Sequence, residues 1–563
     1  MRWTLKPEPN LEIVSKLQSE LNVDFSIAKL LVQRGISDFD EAKKFFRPTL
    51  ADLHDPFLMK DMQKAVDRIE NAIKNEENIM VFGDYDVDGT TAVSLVSSYL
   101  RTYYPNVTTY IPDRYGEGYG ISQKGIDFAD DNSISLIIAL DCGIKSIELV
   151  AYAKQKNIDF VICDHHRPGE ILPDAIAVLD PKRNDCNYPY DELCGCGIGF
   201  KLIQALSKNN NQTIEDLIPY LDLVATAIAA DIVPMTGENR VLAKLGLEVI
   251  NSNPRPGFVA LIENIKKKSL TITDVVFVIA PRINAAGRIK SGNEAVALLT
   301  EFDLNQAKQF ASEIENHNIE RKGLDKNITI EALLQIEENN EQNRFTTVVF
   351  QENWHKGVIG IVASRLTETY YRPTLVFTKS GDYYAASARS VIGFDVYNAL
   401  EKCSEHLVQF GGHMYAAGMT VLPENYEIFK EAFEKVVKDS ILPEQMIPEI
   451  SIDSEIDFND ISDKMLRIIS QFEPFGPENM TPNFVSKNVL DTGFGKSIGE
   501  DDKHLKLYVK QPKTQGFAAI GFGLGNKKGI IDTKKPFEIV YSVEENEYNG
   551  KTSIQLKLKD IQK

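Results

Sequence analysis

Residues 81–91 read Val-Phe-Gly-Asp-Tyr-Asp-Val-Asp-Gly-Thr-Thr: an apolar run, three carboxylates at alternate positions, and the start of a helical pattern. On an extended backbone alternate residues share one face. Asp84, Asp86 and Asp88 are therefore predicted to converge at the carboxyl end of a strand, where open α/β sheets bind ligands. Three carboxylates this close repel one another unless a cation neutralises them. The alternatives are an Asp-rich turn and an EF-hand loop, but the EF-hand requires Glu where Leu95 stands.

Two more apolar runs end in residues of the same chemical kind. The run 136–140 is followed by Asp141, and the run 161–163 is followed by Asp-His-His at 164–166. The chain contains only eight His, so two adjacent His beside an Asp at a strand end favour a ligand set. Asp231 ends an apolar helical stretch, where a ligand role and a helix-end role both remain open. Several carboxylates with a minority of His suit Mn²⁺ or Mg²⁺ better than a structural zinc ion.

The region around these motifs is typical of a parallel sheet buried on both faces, because short apolar runs alternate there with amphipathic stretches. The predicted strands are Ile79–Phe82, Ser135–Leu140, Phe160–Cys163 and Ala175–Leu179. Spaced Leu and Ile predict helices in the first 75 residues, and the charged stretch 293–342 predicts one long connecting helix. A second α/β unit begins at Phe345. After Pro443, short strands with interleaved Gly, Lys and aromatic residues predict a small all-β barrel.

The predicted fold class is therefore α/β, and a chain of 563 residues is long enough for several cores. The predicted parts are an N-terminal helical region (1–75), a parallel-sheet domain (76–290), a connecting helix (291–343), a smaller α/β domain (344–440) and an all-β domain (441–563).

Composition excludes several classes of protein. No apolar run approaches the ~18 residues of a membrane span, and the first ten residues contain no apolar segment of a secretory signal. Six Cys in 563 residues do not make a disulfide framework, so we expect a cytoplasmic protein. Cys194 and Cys196 lack a second Cys/His pair at zinc-finger spacing, which favours a Gly/Cys-rich turn before a helix over a zinc site.

The net charge of −19 argues against nucleic acid as a ligand, since phosphate binding usually needs a basic surface. Bound divalent cations reverse the local sign at a carboxylate site. Charge is also unevenly distributed, because residues 487–563 contain 14 Lys against 10 Asp and Glu. The C-terminal part therefore has a net charge of +4 within an acidic chain.

Short motifs carry a resemblance to a known family. The segments GDYDVDGTTA (83–92), ALDCG (139–143) and CDHHRPG (163–169) resemble, in this order and spacing, those of the DHH phosphoesterase superfamily. Further segments resemble the RecJ family of single-stranded-DNA-specific exonucleases and extend the likeness over nearly the whole chain. They are PRINAAGR (281–288), WHKGVIG (354–360), SARS (387–390), GGH (411–413) and PFGPEN (474–479). In the last segment Glu478 stands where the family usually has Gly, which affects only the local loop.

The resemblance implies a metal site with two divalent cations, Mn²⁺ or Mg²⁺. Asp84 and Asp86 would bind one ion, Asp88, His165 and Asp231 the other, and Asp141 both. His166 would bond the substrate phosphate or assist proton transfer, while Asp164 would orient the two imidazoles. Together with a second, DHHA1-type domain and an OB-type domain, these residues imply hydrolysis of phosphodiester bonds.

The resemblance also implies a set of substrate contacts near the cleft between the two α/β domains. They are Arg114, Arg282, Asn284, Arg288, Ser387, Arg389, Gly411, Gly412 and His413. Arg114 would read the 5′-terminal phosphate, and Ser387, Arg389 and His413 are expected beside Gly-rich turns; ordinary ion pairs and turn glycines are the alternatives. In the OB-type domain the candidates for binding bases and phosphates are Lys503, Lys506, Tyr508, Lys510 and Phe517, the alternative being an edge strand with protective Lys.

The function implied is a 5′→3′ exonuclease that releases nucleotides from single-stranded DNA in repair and recombination. Its implied partners are single-stranded DNA, single-strand binding protein and a RecQ-type helicase. Two alternatives remain open: a phosphodiesterase of short oligoribonucleotides or cyclic dinucleotides, and a non-catalytic scaffold that retains the fold.

Overall fold

A computed structural model describes residues 1–548 and 550–563. The N-terminal region contains strand β1 (Arg2–Leu5) and helices α1 (Leu11–Leu21), α2 (Phe25–Val32), α3 (Phe39–Phe46) and α4 (Met62–Lys74). The first domain contains β2 (Asn78–Gly83), α5 (Val87–Arg101), β3 (Val107–Tyr110), α6 (Gln123–Asp131), β4 (Ile134–Leu140), α7 (Ile147–Gln155), β5 (Asp159–Cys163), β6 (Ala177–Leu179), α8 (Gly195–Asn209), α9 (Leu221–Asp231), α10 (Gly237–Ser252) and α11 (Pro256–Ile262).

The helices that leave the first domain lead into the second. They are α12 (Ile272–Asp274), which continues through a π-helical turn (Val275–Ile279) into α13 (Ala280–Ile289), then α14 (Gly292–Thr300) and α15 (Leu304–Glu338). The predicted single connecting helix is therefore two helices, because the chain leaves the helical conformation between Thr300 and Leu304. The second of these has 35 residues.

The second and C-terminal domains complete the chain. The second domain contains β7 (Thr347–Phe350), α16 (Ile359–Tyr370), β8 (Thr374–Ser380), β9 (Tyr383–Arg389), α17 (Val396–Glu401), β10 (Gln409–His413), β11 (Ala416–Val421) and α18 (Tyr426–Ser440). The C-terminal domain contains β12 (Glu449–Ile452), β13 (Ser454–Glu455), α19 (Asp463–Ser470), β14 (Phe484–Asp491), β15 (Lys496–Ile498), β16 (His504–Lys510), β17 (Gly516–Gly521), α20 (Lys528–Ile531), β18 (Phe537–Tyr548) and β19 (Lys551–Gln562).

The first domain is built on a five-stranded parallel sheet in the order β3-β2-β4-β5-β6. Alternate residues of each strand enter two separate cores: Ile79 and Val81 enter one, and Met80 and Phe82 enter the other. This confirms the predicted α/β class with a sheet buried on both faces. Strand order reverses between β2 and β4, so the crevice at the carboxyl ends of these two strands is the expected ligand site.

The second domain has a mixed sheet in the order β10-β11-β9-β8-β7, in which only β7 and β8 run parallel. Helix α16 covers one face beside β7 and β8, and α17 and α18 cover the other. In the C-terminal domain, pairing of β14 with both β18 and β16 closes a barrel through β19 and β17. The predicted all-β barrel is therefore present.

The two ends of the chain share one hydrophobic core. Val14, Leu17 and Leu30 of the N-terminal helices pack with Phe458 and Phe484 of the C-terminal domain, and β1 pairs in parallel with β12. Helices α1, α2 and α3 are therefore an extension of the C-terminal domain, whereas α4 packs in the core of the first domain. None of the helices in the described part of the chain combines the length and apolarity that a bilayer crossing needs.

Candidate metal centre and adjoining cleft

The three Asp of the first motif lie where strand β2 turns into helix α5. Strand β2 ends before Asp84, Asp86 is the N-cap of α5 and accepts a hydrogen bond from Gly89 N at 3.1 Å, and Asp88 lies in the first helical turn. A side chain at Gly89 would overlap Asp84. The predicted convergence on an extended backbone is thus wrong in its cause: the tight turn, and not strand alternation, brings these carboxylates to one edge of the sheet.

His165 is the centre of the acidic cluster. Its Nε2 lies 3.2 Å from Asp141 Oδ1, 3.6 Å from Asp231 Oδ2 and 3.8 Å from Asp88 Oδ2. Asp141 follows β4 with a φ of 59°, a left-handed conformation that Asp tolerates better than most residues, and Asp231 is the last residue of α9. Residues from three different elements therefore meet at the crevice of the sheet.

The N-terminus of α8 binds the carboxylate of Asp88. The amides of Gly195 and Cys196 donate to its two oxygens at 2.6 and 2.8 Å, and the Cys194 side chain caps the same helix. The C-x-C pair is therefore the start of a helix, as favoured from the sequence. The positive end of a helix dipole helps to keep a buried carboxylate ionised. Among the described acids of the cluster, only Asp88 accepts from two amides at the start of α8.

The buried polar atoms of this site fit a divalent cation. Oδ2 of Asp84 and both ring nitrogens of His165 are buried without a hydrogen-bond partner among the described residues, although buried polar atoms are normally bonded. Burial, and then the charges of neighbouring carboxylates, raise the pKa of Asp84, Asp141 and Asp231 well above the ordinary range and that of Asp88 to about 6. These are the oxygen and imidazole donors that Mn²⁺ and Mg²⁺ take.

The imidazoles of the Asp-His-His motif have different environments. Burial lowers the pKa of His165 to about 3, so its ring is neutral and its nitrogens are available as ligands. His166 Nδ1 lies 2.7 Å from Asp164 Oδ1. Burial alone would raise the pKa of Asp164, but the His166 hydrogen bond and charge lower it to about 2. Asp164 also accepts from the amides of Ile144, His165 and His166, so it fixes the ring of His166 and the backbone that carries both imidazoles.

Sequence reasoning did not find Tyr119. Its hydroxyl lies 3.2 Å from His166 Nε2 and donates to the carbonyl of Asp141 at 3.2 Å. It lies in an irregular segment between β3 and α6, where no periodicity marks it. The Gly at 118 and 120, both with positive φ, are the only local signal of a shaped loop.

The second domain brings a further imidazole to this edge. The rings of His413 and His166 are nearly parallel, with an interplanar angle of 11° and centroids 6.4 Å apart. His413 pairs across β10 and β11 with Ala416, which pairs with Arg389 of β9, and Gly411 leads in the same way to Ser387. The expectation that these residues lie beside Gly-rich turns is wrong, because the Gly belong to a strand. Gly412 has a φ of 149°, and a side chain there would overlap Ala417.

Arginines line the cleft between the two domains. Arg389 Nη1 donates to Ser387 Oγ at 3.0 Å, and Arg288 Nη1 donates to Gly357 O at 3.0 Å. Arg114 lies 3.7 Å from the centroid of the Tyr85 ring. Burial, and then the charges of Arg114, Arg389 and Arg321, lower the pKa of Arg288 to about 10.

The structure does not bring Arg282 to this cleft. Its guanidinium donates to Glu315 of α15 at 2.6 Å and to Val278 O, so an ordinary ion pair accounts for it. Asn284, on the same helix, has a buried Oδ1 without a described partner and lies one turn before Arg288. Its role in substrate binding stays a prediction.

Comparisons with known proteins agree with this geometry. Sequence profiles match for the DHH family N-terminal domain at residues 78–228, the DHHA1 domain at 342–439 and the RecJ OB domain at 452–560. A single-stranded-DNA-specific exonuclease RecJ of Bacillus subtilis (strain 168) is 36% identical over 568 residues, covering 100% of this chain and 70% of the relative. The chain belongs to the RecJ family. This confirms the resemblance that the motifs carry.

Other RecJ proteins resemble it over comparable lengths. The single-stranded-DNA-specific exonuclease RecJ of Salmonella typhimurium is 32% identical, over 89% of this chain and 90% of that protein. Among solved structures, RecJ of Thermus thermophilus in complex with Mn²⁺ has a TM-score of 0.86 at 25% identity, over 100% of this chain and 79% of that one. A metal-dependent hydrolase of RecJ architecture is therefore the class to which this fold and site belong.

Proposed function

We propose that this chain is a Mn²⁺- or Mg²⁺-dependent exonuclease that hydrolyses single-stranded DNA from its 5′ end and releases nucleotides. The observation that supports it most directly is the ring of His165. Its Nε2 lies within 3.8 Å of carboxylates on three elements, and both of its nitrogens lack a described hydrogen-bond partner. The RecJ relatives act, by name, on single-stranded DNA.

In the proposed site Asp84 and Asp86 would hold one ion, Asp88, His165 and Asp231 would hold the other, and Asp141 would contribute to both. When bound, two such ions supply a hydroxide at neutral pH and stabilise charge on the phosphoryl oxygens. The grouping of Asp88, His165 and Asp231 is supported, since one oxygen or nitrogen atom of each lies within 4.8 Å of the others; Asp141, His165 and His166 form a second such group.

His166 is the proposed proton donor and phosphate contact. Asp164 binds Nδ1, which leaves Nε2 facing Tyr119 and the ring of His413. The hydrogen bond and charge of Asp164 outweigh burial and raise the pKa of His166, so more of the ring is protonated near neutral pH than in water. A protonated imidazole held in this position stabilises charge on the substrate phosphate and supplies a proton to the leaving oxygen.

The arginine-lined cleft explains a preference for strand ends. Ser387, Arg389, Arg288 and Arg114 present donors in the cleft beside the carboxylates. A phosphate that binds there places the neighbouring phosphodiester at the metal ligands, and backbone beyond a terminal phosphate is not required. Charge-assisted hydrogen bonds suit a terminal phosphate, and the proposed 5′→3′ direction comes from the resemblance to the RecJ family.

The C-terminal barrel offers a surface for the rest of the strand. On β16, Leu505, Leu507 and Val509 face the core, so the alternate residues Lys506, Tyr508 and Lys510 face solvent. Lys496 pairs with Lys506 across β15 and β16. Exposed aromatic residues that stack bases beside Lys that bind phosphates are typical of single-strand binding.

Two aromatic tips flank this surface. Phe494 is 75% exposed and Phe522 is 57% exposed, with the Phe522 ring 5.3 Å from that of His504. The prediction that Phe517 binds bases is wrong. It is 5% exposed and packs against Phe458 in the core, because it lies on the inward side of β17. Phe494 and Phe522 replace it as proposed stacking residues.

We propose action in DNA repair and recombination in the cytoplasm, beside single-strand binding protein and a RecQ-type helicase. Six free cysteines, five of them buried, are consistent with a reducing compartment. Co-purification of the chain with either partner on a single-stranded DNA column would support the association, and elution unchanged by both partners would refute it.

Substrate length separates this function from its main alternative. We expect Mn²⁺-dependent release of nucleotides from a 5′-phosphorylated 40-nucleotide DNA to exceed turnover of a dinucleotide or cyclic dinucleotide by at least about 100-fold in kcat/KM, because the barrel contacts only a long strand. A 3′-labelled strand should lose its label last. Faster turnover of the dinucleotide would assign the chain to the small-substrate class, and no turnover of any substrate would favour a scaffold.

A further inference from the structure

The segment PFGPEN (474–479) of the C-terminal domain contributes no side chain to the site described above, although it carries part of the family resemblance. It forms a closed loop, because the backbone groups of Gly476 and Asn479 bond each other at 3.1 and 2.9 Å. The buried side chain of Asn479 fastens the base of this 474–479 loop. Its Nδ2 donates to the carbonyls of Phe472 and Pro474 at 2.8 and 2.9 Å. The shape of the loop therefore depends on one side-chain amide.

The 474–479 loop lies against the first domain. The buried guanidinium of Arg240, on α10, donates to the carbonyls of Phe472 and Pro474 at 2.8 and 3.3 Å. It also donates to the carbonyls of Gln471 and Glu473. The base of the loop is therefore bonded to a helix of the first domain.

The tip of the loop contacts the segment that follows Asp231. The amide of Met235 donates to Pro477 O at 2.8 Å. A side chain at Gly476 would meet Met235 Cβ at 3.1 Å and Cε at 3.2 Å, so the two backbones pack closely. Met235 is buried, and only three residues separate it from Asp231. The C-terminal domain thus bonds the backbone directly beyond a proposed metal ligand.

The carboxylate of Asp231 depends on this backbone for its position. Its Oδ2 lies 3.6 Å from His165 Nε2, but no N–H or O–H group of the described residues donates a hydrogen bond to it. Asp88 differs, because two amides of α8 hold its carboxylate. Within the first domain, Pro234 O accepts from Asn239 Nδ2 at 3.0 Å. The bond to the 474–479 loop is the second fixed point of the same segment.

We propose that the 474–479 loop positions Asp231 at the metal centre, and that Asn479 is the residue that keeps the loop in shape. The inference rests on the proposed function and adds a positioning role for the C-terminal domain to its surface for the strand. Metal–ligand distances are held to within about 0.2 Å, so a small displacement of Met235 is enough to weaken the binding of the ion that Asp231 serves. Residues that orient a ligand without touching the ion act on affinity in this way.

Mn²⁺ binding to the metal-free full chain measures this role without DNA. Asn479→Ala removes the amide that fastens the loop. We expect the Kd of the ion that Asp231 serves to rise about tenfold, as when a group that orients a metal ligand is lost. Isothermal titration calorimetry with Mn²⁺ gives this Kd.

Gln511→Ala is the matched control. Gln511 is also a buried side-chain amide of the C-terminal domain, and it bonds Phe458 N and Lys487 O, both at 2.7 Å. None of these groups belongs to the 474–479 loop. The control should lower the Tm of the metal-free chain, as Asn479→Ala does, and leave the Kd for Mn²⁺ unchanged.

A double-mutant cycle separates the proposed route from a general loss of stability. Asp231→Asn removes one charge from the ligand. In that background Asn479→Ala is expected to raise the Kd by less than about twofold, because changes that act through one group are not additive. Gly476→Ala tests the same contact with the loop closed, since its new Cβ presses on Met235, and it decides the question if Asn479→Ala does not fold. We expect it to raise the Kd less than Asn479→Ala does.

Three results would overturn the proposal: an unchanged Kd in both loop variants, an equal rise in Gln511→Ala, or a full tenfold rise in the Asp231→Asn background. Failure of the proposed function gives a different result. A wild-type chain that binds no Mn²⁺ removes the metal centre itself, and one that binds Mn²⁺ but degrades no DNA removes only the activity, leaving the effect of Asn479 on the Kd to be measured.

Discussion

The carboxylate edge of the first domain and the arginine cleft beside it have opposite charge, but each gathers groups of like charge. At the edge, Asp84 and Asp141 are buried among other acids, and burial with mutual repulsion raises their pKa. In the cleft, Arg288 and Arg389 are half-buried, and their partial burial lowers the pKa of both. Among the described residues, no Lys or Arg forms an ion pair with the carboxylates of the edge, and no carboxylate forms one with the arginines of the cleft.

A third buried site shows that this protein can balance charge when only the fold is at stake. Lys201 and Glu238 are 0% and 1% exposed in their side chains and lie 2.9 Å apart. His54 and Tyr188 satisfy the remaining atoms of this pair. An unpaired charge does not by itself mark a ligand site, since the buried Arg240 and Arg372 are held by backbone carbonyls and have no carboxylate partner among the described residues. At the edge and in the cleft we propose that a ligand supplies the counter-charge, cations at the edge and phosphates in the cleft.

The largest expected effect is on the unbalanced carboxylates. Asp141→Asn keeps the shape of the side chain but removes a charge shared by both proposed ion sites. We expect Mn²⁺-dependent nucleotide release to fall on the order of 10³-fold or more. The same change should raise the free energy of unfolding in metal-free buffer at pH 8, because one repelling charge is gone.

Asp222→Asn is the matched control for that variant. Asp222 is equally buried but paired with Arg255 at 2.9 Å. Its loss should lower the free energy of unfolding and leave the metal requirement intact. If urea titration shows both Asn variants to be less stable than the wild type without metal, repulsion is not what distinguishes the metal edge.

Removing one charge of the Lys201–Glu238 pair should lower the free energy of unfolding, whereas removing a charge at the carboxylate edge should raise it. Lys201→Met leaves Glu238 buried without its cation, and we expect a loss of about 3–5 kcal/mol in the free energy of unfolding. Urea denaturation at pH 7 measures it. Replacing both residues, Lys201→Met with Glu238→Leu, should recover much of the loss; a double variant as unstable as the single one would show that the packing, and not the charge, is decisive.

The sequence predicted the metal edge well because its residues follow strand ends. Asp141 and Asp164 come directly after buried apolar runs, with His165 next to Asp164, and the carboxyl ends of parallel strands share one edge of a sheet. Only the local cause at Asp86 and Asp88 was misjudged, since a strand that turns at once into a helix has the same spacing of apolar and acidic residues. The periodicity of apolar residues and the spacing of acidic residues can be read from a single segment of sequence. The position of these ligands at the edge of the sheet depends on little else.

The cleft could not be predicted in the same way. Arg321 lies in a 35-residue charged helix, and nothing in the segment separates it from its neighbour Lys322. Whether an arginine is balanced depends on which acid the tertiary register brings to it, as Arg282 and Glu315 show. The shared core of the two chain ends has the same origin, because contacts between residues more than 400 positions apart leave no periodic signal.

Proton competition gives the next effect. The folded carboxylates bind protons more tightly than unfolded ones, so stability without metal falls as pH rises from about 4 through the pKa of Asp88, about 6. A divalent cation displaces these protons. At 100 times its Kd, Mn²⁺ should stabilise the fold by about 2.7 kcal/mol, and the apparent Kd should weaken as pH falls from 8 to 5.5.

Thermal unfolding with and without Mn²⁺ at these two pH values measures the linkage. The Asp141→Asn variant should show a smaller Mn²⁺-induced shift in Tm than the wild type at pH 8. A shift that is larger at pH 5.5 than at pH 8 would contradict binding at deprotonated carboxylates, since protons and the cation would then not compete.

The smallest expected effect concerns a loop outside both charged regions. It shows how much a single residue there changes the free energy of unfolding. Glu478 has a φ of 61° in the loop where Pro477 O accepts a hydrogen bond from Met235 N at 2.8 Å. A left-handed conformation costs a non-Gly residue about 1–2 kcal/mol. Gly avoids this cost, but it also raises the entropy of the unfolded chain, which offsets part of the gain. Glu478→Gly should therefore raise the free energy of unfolding by about 0.5–1 kcal/mol.

Glu424→Gly is the control for that loop, since Glu424 is not among the residues with positive φ and should lose about 0.5–1 kcal/mol. Opposite signs for the two Gly variants would show that backbone conformation, and not removal of a negative charge from an acidic chain, governs the effect at 478. Stabilisation by both would instead assign the gain to net charge. Charges outside the edge and the cleft would then also affect the free energy of unfolding. The difference in stability between balanced and unbalanced sites could then not be assigned to local charge alone.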